Sequence, residues 1–439
     1  MIKDIVKIKR EGKDFLIFSS FGMLISLDKK EYSIFKKYGK SKKISSKHKD
    51  FLGKLASYGI LEFENYKPEI IKKEYDLSLK DHDSSKPIYP APVLAHLAIT
   101  NKCNMACKYC SVRNLHKKIC SNELSTSQWK KIISKLSNWG VFQIGFTGGE
   151  PTLRKDIIEL VYYVHKKGCA CNLTTNGWFL DEKLVKELSD AGLKQCQVSL
   201  DSHILQIHEK LRGEGSFARV IKSIELLKKK GIAVGIDCVV SKNNIHTIPS
   251  FIKWIENNKI KYLTLIKLKK GDLSDADFHK LSPDYSAYSE IIRNVCLRKT
   301  NENPNITLDC GSTCNLQQVA SIEKFSKTPV SGCPLGHHLI CISPNGDIYP
   351  CAALLEKKFH LGNILEDDIK LIWNDHLLLK QFRQIKSKIN GKCKNCERLD
   401  LCRGGCRGIS YSASEKMFES DPSCNFINNF QEVKNESTS

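Results

Sequence analysis

The middle of the chain alternates short apolar runs with amphipathic stretches. Six of the runs predict buried strands, over residues 93–100, 142–147, 171–175, 195–200, 234–240 and 262–268. Apolar residues at helical spacing lie between them, as over 127–137, 157–166, 182–191 and 219–229. This alternation predicts an α/β fold in which a parallel sheet with right-handed crossovers forms a partial, TIM-like (β/α)6 barrel. Active residues should then gather where the strands end.

The N-terminal residues follow a different pattern. Three short β-like runs, over 5–10, 15–19 and 23–26, precede a predicted helix over 28–38, whose first turn Asp28 can cap. A second helix over 51–57 and a strand over 60–63 follow. We therefore expect a small separate domain over residues 1–66. Residues 67–91, which contain Pro87 and Pro90, are predicted to form an exposed linker.

Composition narrows the class of protein. The chain has 439 residues and a hydrophobic content of 41%, which suffices for a sizeable core divided among two or three domains. No apolar run reaches the roughly 18 residues of a membrane span, and the N-terminus lacks the apolar core of a signal peptide. We therefore expect a cytoplasmic protein. Its 19 cysteines favour metal ligation over disulfides and would make it sensitive to oxygen.

The formal net charge of +21 suggests an anionic partner, for which nucleic acid is the default candidate. Most of the excess is lysine spread along the whole chain beside many Ile and Asn, which a biased genome composition also explains. One local concentration remains within the N-terminal domain. It consists of Lys36, Lys37, Lys40, Lys42, Lys43, Lys47 and Lys49.

One short cysteine motif organises the chemistry. Cys103, Cys107 and Cys110 have the spacing C-x3-C-x2-C and can hold three corners of a cubic iron–sulfur cluster, so that the fourth iron has no protein ligand. Structural zinc or redox cysteines are the alternatives. A predicted strand precedes the motif, and the next strand ends in the sequence Gly-Gly-Glu-Pro over 148–151.

This spacing, with Tyr109 before the last cysteine and Gly-Gly-Glu-Pro on the next strand, resembles radical S-adenosylmethionine (SAM) enzymes. The resemblance implies a [4Fe–4S] cluster whose open iron is chelated by SAM, and a 5′-deoxyadenosyl radical that removes hydrogen from an unactivated carbon. It also implies roles for single residues. Gly148, Gly149 and Glu150 would lie beside the SAM ammonium, Ser199 would contact the ribose, Tyr109 the adenine, and Arg219 or else Arg212 the SAM carboxylate. Ser199 and Arg212 could instead be ordinary loop residues.

Seven further cysteines lie in the C-terminal third, and their order and spacing resemble the SPASM domain of related enzymes. The resemblance implies two auxiliary [4Fe–4S] clusters, and zinc sites are the alternative. The outer cluster would be held by Cys393, Cys396, Cys402 and Cys424, and the inner one by Cys333, Cys351 and Cys406. Cys341 is a candidate fourth ligand of the inner cluster, although its neighbours Ile340 and Ile342 predict a strand that could direct the thiol into the core. An unligated Cys341 would leave an iron open for a substrate thiolate.

Eight cysteines remain outside these motifs. Cys171, Cys196 and Cys238 fall on predicted strands and are expected to behave as small hydrophobic residues. Cys310 and Cys314 lie in a Gly- and Ser-containing stretch before the seven-cysteine region and could touch a cluster or a substrate. The other three are Cys120, Cys169 and Cys296.

The order of the parts resembles peptide maturases, most closely the subtilosin-A type that builds thioether links in sactipeptides. On this resemblance residues 1–66 are a winged-helix-like element that binds a precursor peptide's leader as an added strand. Residues 92–300 are the radical SAM barrel, 301–430 the SPASM domain, and 431–439 a tail. The implied reaction joins a Cys sulfur to an α-carbon, with a reductant such as flavodoxin or ferredoxin.

Three alternatives stay open at this point. Two are enzymes, a maturase that makes carbon–carbon or carbon–oxygen crosslinks and a formylglycine-forming sulfatase maturase. The third is an iron–sulfur regulator that binds DNA through residues 1–66. Because the Gly-Gly-Glu-Pro motif and Arg219 favour SAM turnover, no nucleic acid partner is expected.

Overall fold

The structure of the protein is a computed structural model that describes the following residues: 7–11, 14–18, 24–38, 41, 43, 45–57, 61, 64, 90–112, 122–260, 262–271, 273–284, 287, 288, 291, 306–308, 332–396, 399–422 and 424. Cys120, Cys296, Cys310 and Cys314, most of the predicted linker and the predicted tail lie outside these residues. None of the helices within them is long and apolar enough to cross a membrane.

The N-terminal part contains an antiparallel three-stranded sheet and two helices. The elements are β1 Lys7–Glu11, β2 Asp14–Phe18, β3 Leu24–Leu27, α1 Lys29–Tyr38 and α2 Lys49–Ser57. Asp28 caps α1 as predicted, since its carboxylate accepts a 2.7 Å hydrogen bond from the Glu31 N–H. Of the strand predicted over 60–63, only Leu61 is described, and it is buried.

The six strands predicted in the middle of the chain are all present, and each pairs in parallel with the next. They are β4 Leu94–Thr100, β5 Gln143–Gly148, β6 Ala170–Thr175, β7 Gln195–Ser199, β8 Ala233–Val240 and β9 Tyr262–Lys267. Their apolar side chains are buried with those of the crossover helices in one large core. This arrangement confirms the predicted α/β fold with a mainly parallel sheet.

Helices connect these strands. They are α3 Thr126–Trp139, α4 Ile157–Lys166, α5 Glu182–Asp190, α6 Leu205–Arg212, α7 Ser216–Lys229, α8 Ile248–Asn257 and α9 Asp275–Leu281. Local signals set their ends: Ser125 and Gln128 form a capping box before α3, and Gly140 ends that helix with a φ of 118°. Short 3-10 helices cover Ser46–His48, Pro151–Leu153, Ile245–Thr247, Lys357–Phe359 and Gly391–Asn395.

The same sheet continues into the C-terminal part of the chain. Strand β10 Ile306–Leu308 pairs in parallel with β9, and β11 Leu339–Ile342 pairs in parallel with β4. Strands β12 Asp347–Tyr349 and β13 Gly362–Asn363 then add antiparallel neighbours. Helices α10 Ile369–Asp375, α11 Leu377–Arg383, α12 Ile385–Lys388, α13 Leu399–Cys402 and α14 Arg407–Ser414 complete this part. The cysteine-rich part is therefore joined to the parallel sheet by strand pairing.

Candidate active site

The first three cysteines lie on the loop that leaves the carboxyl end of β4. Cys103 is exposed, and Cys107 and Cys110 are partly buried. The base of the loop is fixed by Glu123, whose carboxylate accepts hydrogen bonds from the Thr100 hydroxyl at 2.9 Å and the Asn101 N–H at 2.7 Å. The loop therefore begins from an anchored strand end, as expected for a site at the carboxyl edge of a parallel sheet.

The two glycines after β5 pack against the base of this loop. A Cβ atom added to Gly148 would lie 2.3 Å from the carbonyl oxygen of Thr100, and one added to Gly149 would lie 2.2 Å from that of Lys102. The Gly149 and Glu150 N–H groups donate to those same oxygens at 2.8 and 2.7 Å. The need for glycine thus comes from close backbone approach to the cysteine loop.

Glu150 is buried, and its carboxylate joins the ends of two strands. It accepts hydrogen bonds from the Thr175 hydroxyl at 2.7 Å, the Asn176 N–H at 2.7 Å and the Thr152 N–H at 3.0 Å. Burial raises the pKa of this carboxyl group, and the hydrogen bonds oppose that rise. Asn176 in turn donates to Asn104 Oδ1 at 2.9 Å, with Cys103 Sγ at 4.0 Å, so Glu150 supports the cysteine loop through Asn176.

Asp201, which follows β7, is the charged centre of the buried part of the site. Its carboxylate accepts hydrogen bonds from the Tyr109 hydroxyl, from Arg212 Nε at 2.7 Å and from the Val239 N–H at 3.0 Å. Arg212 also lies 5.4 Å from the centre of the Tyr109 ring. Only 7% of Tyr109 and 8% of Arg212 are exposed, so both side chains are buried inside the protein.

The backbone of Asp201 is held as firmly as its side chain. Its N–H donates to His208 Nδ1 at 3.2 Å, and its carbonyl oxygen accepts from Asn244 Nδ2 at 2.8 Å. Burial lowers the pKa of His208 to about 4, so the ring is neutral and can accept this hydrogen bond. The Lys108 N–H, between Cys107 and Tyr109, donates to the Leu211 carbonyl oxygen at 2.9 Å. Helix α6 therefore helps to fix the cysteine loop.

The two candidate arginines have different surroundings. Arg212 is engaged by Asp201, whereas Arg219 is exposed on α7 and stacks over the Trp178 ring at 4.5 Å. Ser199 is partly buried at the end of β7. Arg219 and Ser199 are therefore the members of the predicted set whose side chains remain accessible at this edge of the sheet.

The three thiols of the loop lie close enough to interact electrostatically. Burial raises the pKa of Cys107 to about 11, Arg212 opposes the rise, and Asp201, Cys110 and Cys103 add to it. Three thiols from one short loop, partly shielded by Tyr109, Leu211 and Leu268, supply the donor type that an iron–sulfur cluster takes, although within the described residues no three His, Cys, Asp or Glu side chains converge on one metal position.

The C-terminal cysteines fall into two groups. In the inner group, burial and the neighbouring Cys406 raise the pKa of Cys333 to about 11, and burial, Cys406 and Cys333 raise that of Cys351. In the outer group, burial and Cys402 raise the pKa of Cys393, whose N–H donates to Ser420 Oγ at 2.9 Å. The Cys396 N–H donates to the Cys393 carbonyl oxygen at 3.1 Å, and the Cys424 N–H to that of Asp421 at 3.1 Å. Electrostatic interaction therefore links Cys333, Cys351 and Cys406 with one another, and Cys393 with Cys402.

Cys341 differs from the inner group. It lies in the middle of β11, fully buried in the hydrophobic core between Ile340 and Ile342. Burial alone raises the pKa of its thiol to about 12, whereas Cys333 and Cys351 are affected by neighbouring thiols. Cys171, Cys196 and Cys238 are likewise buried in the core on β6, β7 and β8, as predicted for small hydrophobic residues, and Cys169 joins them.

Sequence reasoning gave no role to Asp201, Glu123 or Asn176. The signal for Asp201 and Asn176 was present, since each is a polar residue directly after a predicted parallel strand. Glu123 carries no such signal, because it precedes α3 and reaches the cysteine loop only through the fold.

Comparison with protein-family models identifies two regions of the chain. Residues 97–255 match the radical SAM superfamily model, and residues 333–397 match the model of the SPASM iron–sulfur cluster-binding domain. The protein is a radical SAM enzyme. Its cofactors are SAM with an iron–sulfur cluster for the radical SAM domain, and auxiliary iron–sulfur clusters for the SPASM domain.

Curated relatives of this radical SAM enzyme are named as synthases and maturases. An AdoMet-dependent heme synthase of Oleidesulfovibrio alaskensis is 27% identical over 354 residues, which is 77% of this chain and 88% of that protein. The mycofactocin maturase MftC of Mycobacterium ulcerans is 28% identical over 336 residues, which is 76% of this chain and 88% of that protein.

Solved structures agree with the fold. SuiB of Streptococcus suis, solved bound to S-adenosylmethionine, superposes with a TM-score of 0.66 and 20% identity, covering 97% of this chain and 99% of SuiB. The enzyme anSMEcpe, solved with AdoMet and the Cp18Cys peptide, superposes with a TM-score of 0.61 and 23% identity, covering 77% of this chain and 96% of that one.

Proposed function

We propose that this radical SAM enzyme matures a ribosomally synthesised peptide by joining a cysteine sulfur to an α-carbon. Two comparisons support a peptide substrate. SuiB, which matches 97% of this chain, has also been solved bound to its precursor peptide SuiA, and MftC is named a maturase. The superposition with SuiB covers 97% of this chain, a share large enough to include the N-terminal module of β1–β3, α1 and α2. The match to the heme synthase covers 77% of the chain.

The site residues receive the following proposed roles. Cys103, Cys107 and Cys110 hold the cluster that binds SAM, and SAM lies along the glycine turn of Gly148, Gly149 and Glu150, with Ser199 near the ribose and Arg219 near the carboxylate. The side chains of Tyr109 and Arg212 bond to Asp201 and thereby hold the cysteine loop against the end of β7. When bound, SAM and its cluster would supply a 5′-deoxyadenosyl radical that removes one hydrogen atom. The auxiliary clusters would supply a path for one surplus electron.

The observation that supports the thioether assignment is the burial of Cys341 in the middle of β11, where burial and no neighbouring thiol raises the pKa of its side chain. We assign Cys333, Cys351 and Cys406 to the inner auxiliary cluster and Cys393, Cys396, Cys402 and Cys424 to the outer one. With Cys341 held in the core by β11, the described part of the chain gives the inner group three thiols for four corners. The remaining corner can take the thiolate of a substrate cysteine and hold it for attack on the α-carbon.

The N-terminal module is the proposed binding site for the leader of the precursor peptide. Its lysines Lys36, Lys37, Lys43, Lys47 and Lys49 are exposed, which suits an acidic leader. An edge of the sheet β1–β2–β3 offers backbone groups for an added strand. We place the enzyme in the cytoplasm, where flavodoxin or ferredoxin would serve as reductant.

A second candidate follows from the names of the sequence relatives. Heme synthases and an Fe-coproporphyrin III synthase of Methanosarcina barkeri are 27% identical to this chain, which favours a tetrapyrrole as the rival substrate class. A tetrapyrrole would require no leader-binding module.

Anaerobic reconstitution tests the proposal. The enzyme with SAM, a reductant and the precursor peptide encoded beside its gene should yield a peptide lighter by two hydrogens, whose linked cysteine resists alkylation. A lighter peptide in which every cysteine is alkylated would indicate a carbon–carbon or carbon–oxygen crosslink instead. Conversion of Fe-coproporphyrin III with no change in the peptide would support the rival substrate.

The ligand assignment has a separate test. Cys341→Ala should leave the electron paramagnetic resonance spectrum of the inner cluster unchanged, because the thiol lies in the core. Cys351→Ala is the matched variant and should alter that spectrum. A change with Cys341→Ala equal to that with Cys351→Ala would contradict the open corner.

A further inference from the structure

The central strands of the sheet have two chemically different faces. One face is apolar and is buried with residues of the crossover helices in the large core, as are Ile144, Leu173, Val198 and Ile236. The other face is polar on β6 and β7, and its polar side chains are only partly buried, so it is not packed as a hydrophobic core. This polar face consists of Asn172, Thr174, Gln195, Gln197 and Ser199.

Strand register places the polar face beside the candidate site. Gln197 on β7 pairs with Thr174 on β6 and with Gly235 on β8, and paired residues of parallel strands share a face. Ser199 lies two residues beyond Gln197 on that face, which is about 7 Å along the strand. Since Ser199 is the proposed contact to the SAM ribose, Gln197 lies one step below the proposed SAM site.

Gly235 provides the space that the Gln197 side chain occupies. A Cβ atom added to Gly235 would overlap Gln197 Oε1 and would lie 2.5 Å from Gln197 Cδ. Glycine inside a strand is typical of such a close approach. The Gln197 amide therefore lies across β8, in a position that a larger residue at 235 would not allow.

Two acceptor atoms of the polar face have no hydrogen-bond partner within the described residues. They are Gln197 Oε1 and Asn172 Oδ1, and both atoms are buried. Buried acceptors are normally hydrogen bonded, so an exception calls for a specific explanation. Because these two lie on adjacent strands and on one face, we infer that a ligand supplies their donors.

The polar face suits an uncharged, hydrogen-bonding ligand. Its side chains are amides and hydroxyls, and none of them is charged. The carboxylates of a tetrapyrrole would therefore find no cationic partner on β6 or β7. A side-chain amide both donates and accepts hydrogen bonds, and so does a peptide group, so the two can pair with one another.

We propose that the Gln197 amide pairs with a backbone peptide group in the reacting segment of the substrate. The inference rests on the proposed peptide substrate and adds the residue that holds its main chain next to SAM. Every residue of a peptide except proline offers the same N–H group. Gln197 thus positions the main chain without selecting a particular side chain.

A thermodynamic cycle tests this pairing. The labelled precursor peptide encoded beside the gene is prepared with a backbone ester in place of one peptide bond at a time around its cysteines, which removes one N–H group and keeps the shape. Fluorescence anisotropy with the anaerobic, reconstituted full-length enzyme and SAM gives the affinities. One ester position should weaken binding by about tenfold in the unmodified enzyme and have no effect in Gln197→Leu.

Two further variants accompany Gln197→Leu. Gly235→Ala should also abolish the ester effect, because the new methyl group displaces the Gln197 amide. Asn257→Leu is the control: it removes an exposed amide at the end of α8 and should keep the effect.

Ester effects that are equal in the unmodified enzyme and in Gln197→Leu, or absent from both, would overturn the pairing. Weaker SAM binding by Gln197→Leu would assign the amide to SAM and overturn it as well. Deoxyadenosine formation is measured in the same preparation. Its absence from the unmodified enzyme would overturn the proposed function, whereas deoxyadenosine with equal ester effects would overturn only the role of Gln197.

Discussion

The cysteine loop depends on single residues that allow close backbone approach or neutralise a buried charge. Gly149 stands where any side chain would meet the Lys102 carbonyl oxygen, and Asp201 stands opposite buried Arg212. The predicted strands over 142–147 and 195–200 place Gly149 and Asp201 at the same edge of the sheet, because parallel strands end at one edge. The sequence did not predict that Arg212 is occupied by Asp201, since that pairing depends on how α6 packs against the end of β7.

Gly149→Ala should displace the cysteine loop, because the new methyl group would lie 2.2 Å from Lys102 O. We expect a loss of about 1 to 3 kcal/mol in the free energy of unfolding, with lower iron content and slower SAM cleavage. Gly231→Ala is the control: its Cβ meets open space and adds only the strain of a φ of 71°. Equal iron content and SAM cleavage in the two variants would contradict the role of the glycine turn.

Asp201→Asn should destabilise the fold, because it leaves the Arg212 guanidinium buried without its counter-charge. The expected loss is about 3 to 5 kcal/mol in the free energy of unfolding, measured by denaturant titration. Asp190→Asn removes a carboxylate from the exposed Lys186–Asp190 pair and should change little. Similar losses in both variants would show that Asp201 is not the centre of the network.

At the scale of elements, the cysteine-rich part is attached to the parallel sheet in two ways. Strand β11 pairs with β4, and the buried Lys267 at the end of β9 lies 3.7 Å from buried Asp421. Asp421 Oδ2 also accepts the Cys406 N–H at 2.9 Å. The strands of the middle region were predictable because their apolar runs are long and alternate with helices. The pairing of β4 with β11 was not predictable, since it joins residues far apart in the chain.

Asp421→Asn should weaken this attachment by removing the counter-charge of Lys267 and a charge-assisted hydrogen bond to Cys406. We expect a loss of about 1.5 to 3 kcal/mol in stability and a change in the spectrum of the auxiliary clusters. Asp275→Asn, which removes the exposed partner of Lys270, is the control. Auxiliary cluster spectra that are identical in the two variants would contradict the attachment.

At the scale of the whole molecule, the proposed division of labour places substrate selection in the N-terminal module, radical formation in the middle and electron removal in the C-terminal part. The cysteine motifs made the radical SAM and SPASM regions predictable, because the spacing of ligands in sequence is itself the signal. The identity of the substrate was not predictable from the sequence, because a basic surface suits peptides and nucleic acids alike.

Reversing the charge of Lys36 and Lys37 together should weaken binding of an acidic leader by about tenfold or more. The affinity should also depend less on salt concentration. The measurement is anisotropy of the labelled precursor peptide. Lys183→Glu with Lys253→Glu, two exposed lysines outside the module, is the matched control. Loss of duplex DNA binding with no effect on the peptide would instead favour the regulator hypothesis.

The most direct test of the central claim follows the abstracted hydrogen. The precursor peptide is prepared with deuterium at the α-carbons, and the 5′-deoxyadenosine formed with the reconstituted enzyme is examined by mass spectrometry. Abstraction from the α-carbon predicts deoxyadenosine one mass unit heavier, in step with formation of the alkylation-resistant peptide. Unlabelled deoxyadenosine accompanying a modified peptide would contradict attack at the α-carbon, and no deoxyadenosine at all would contradict the peptide maturase.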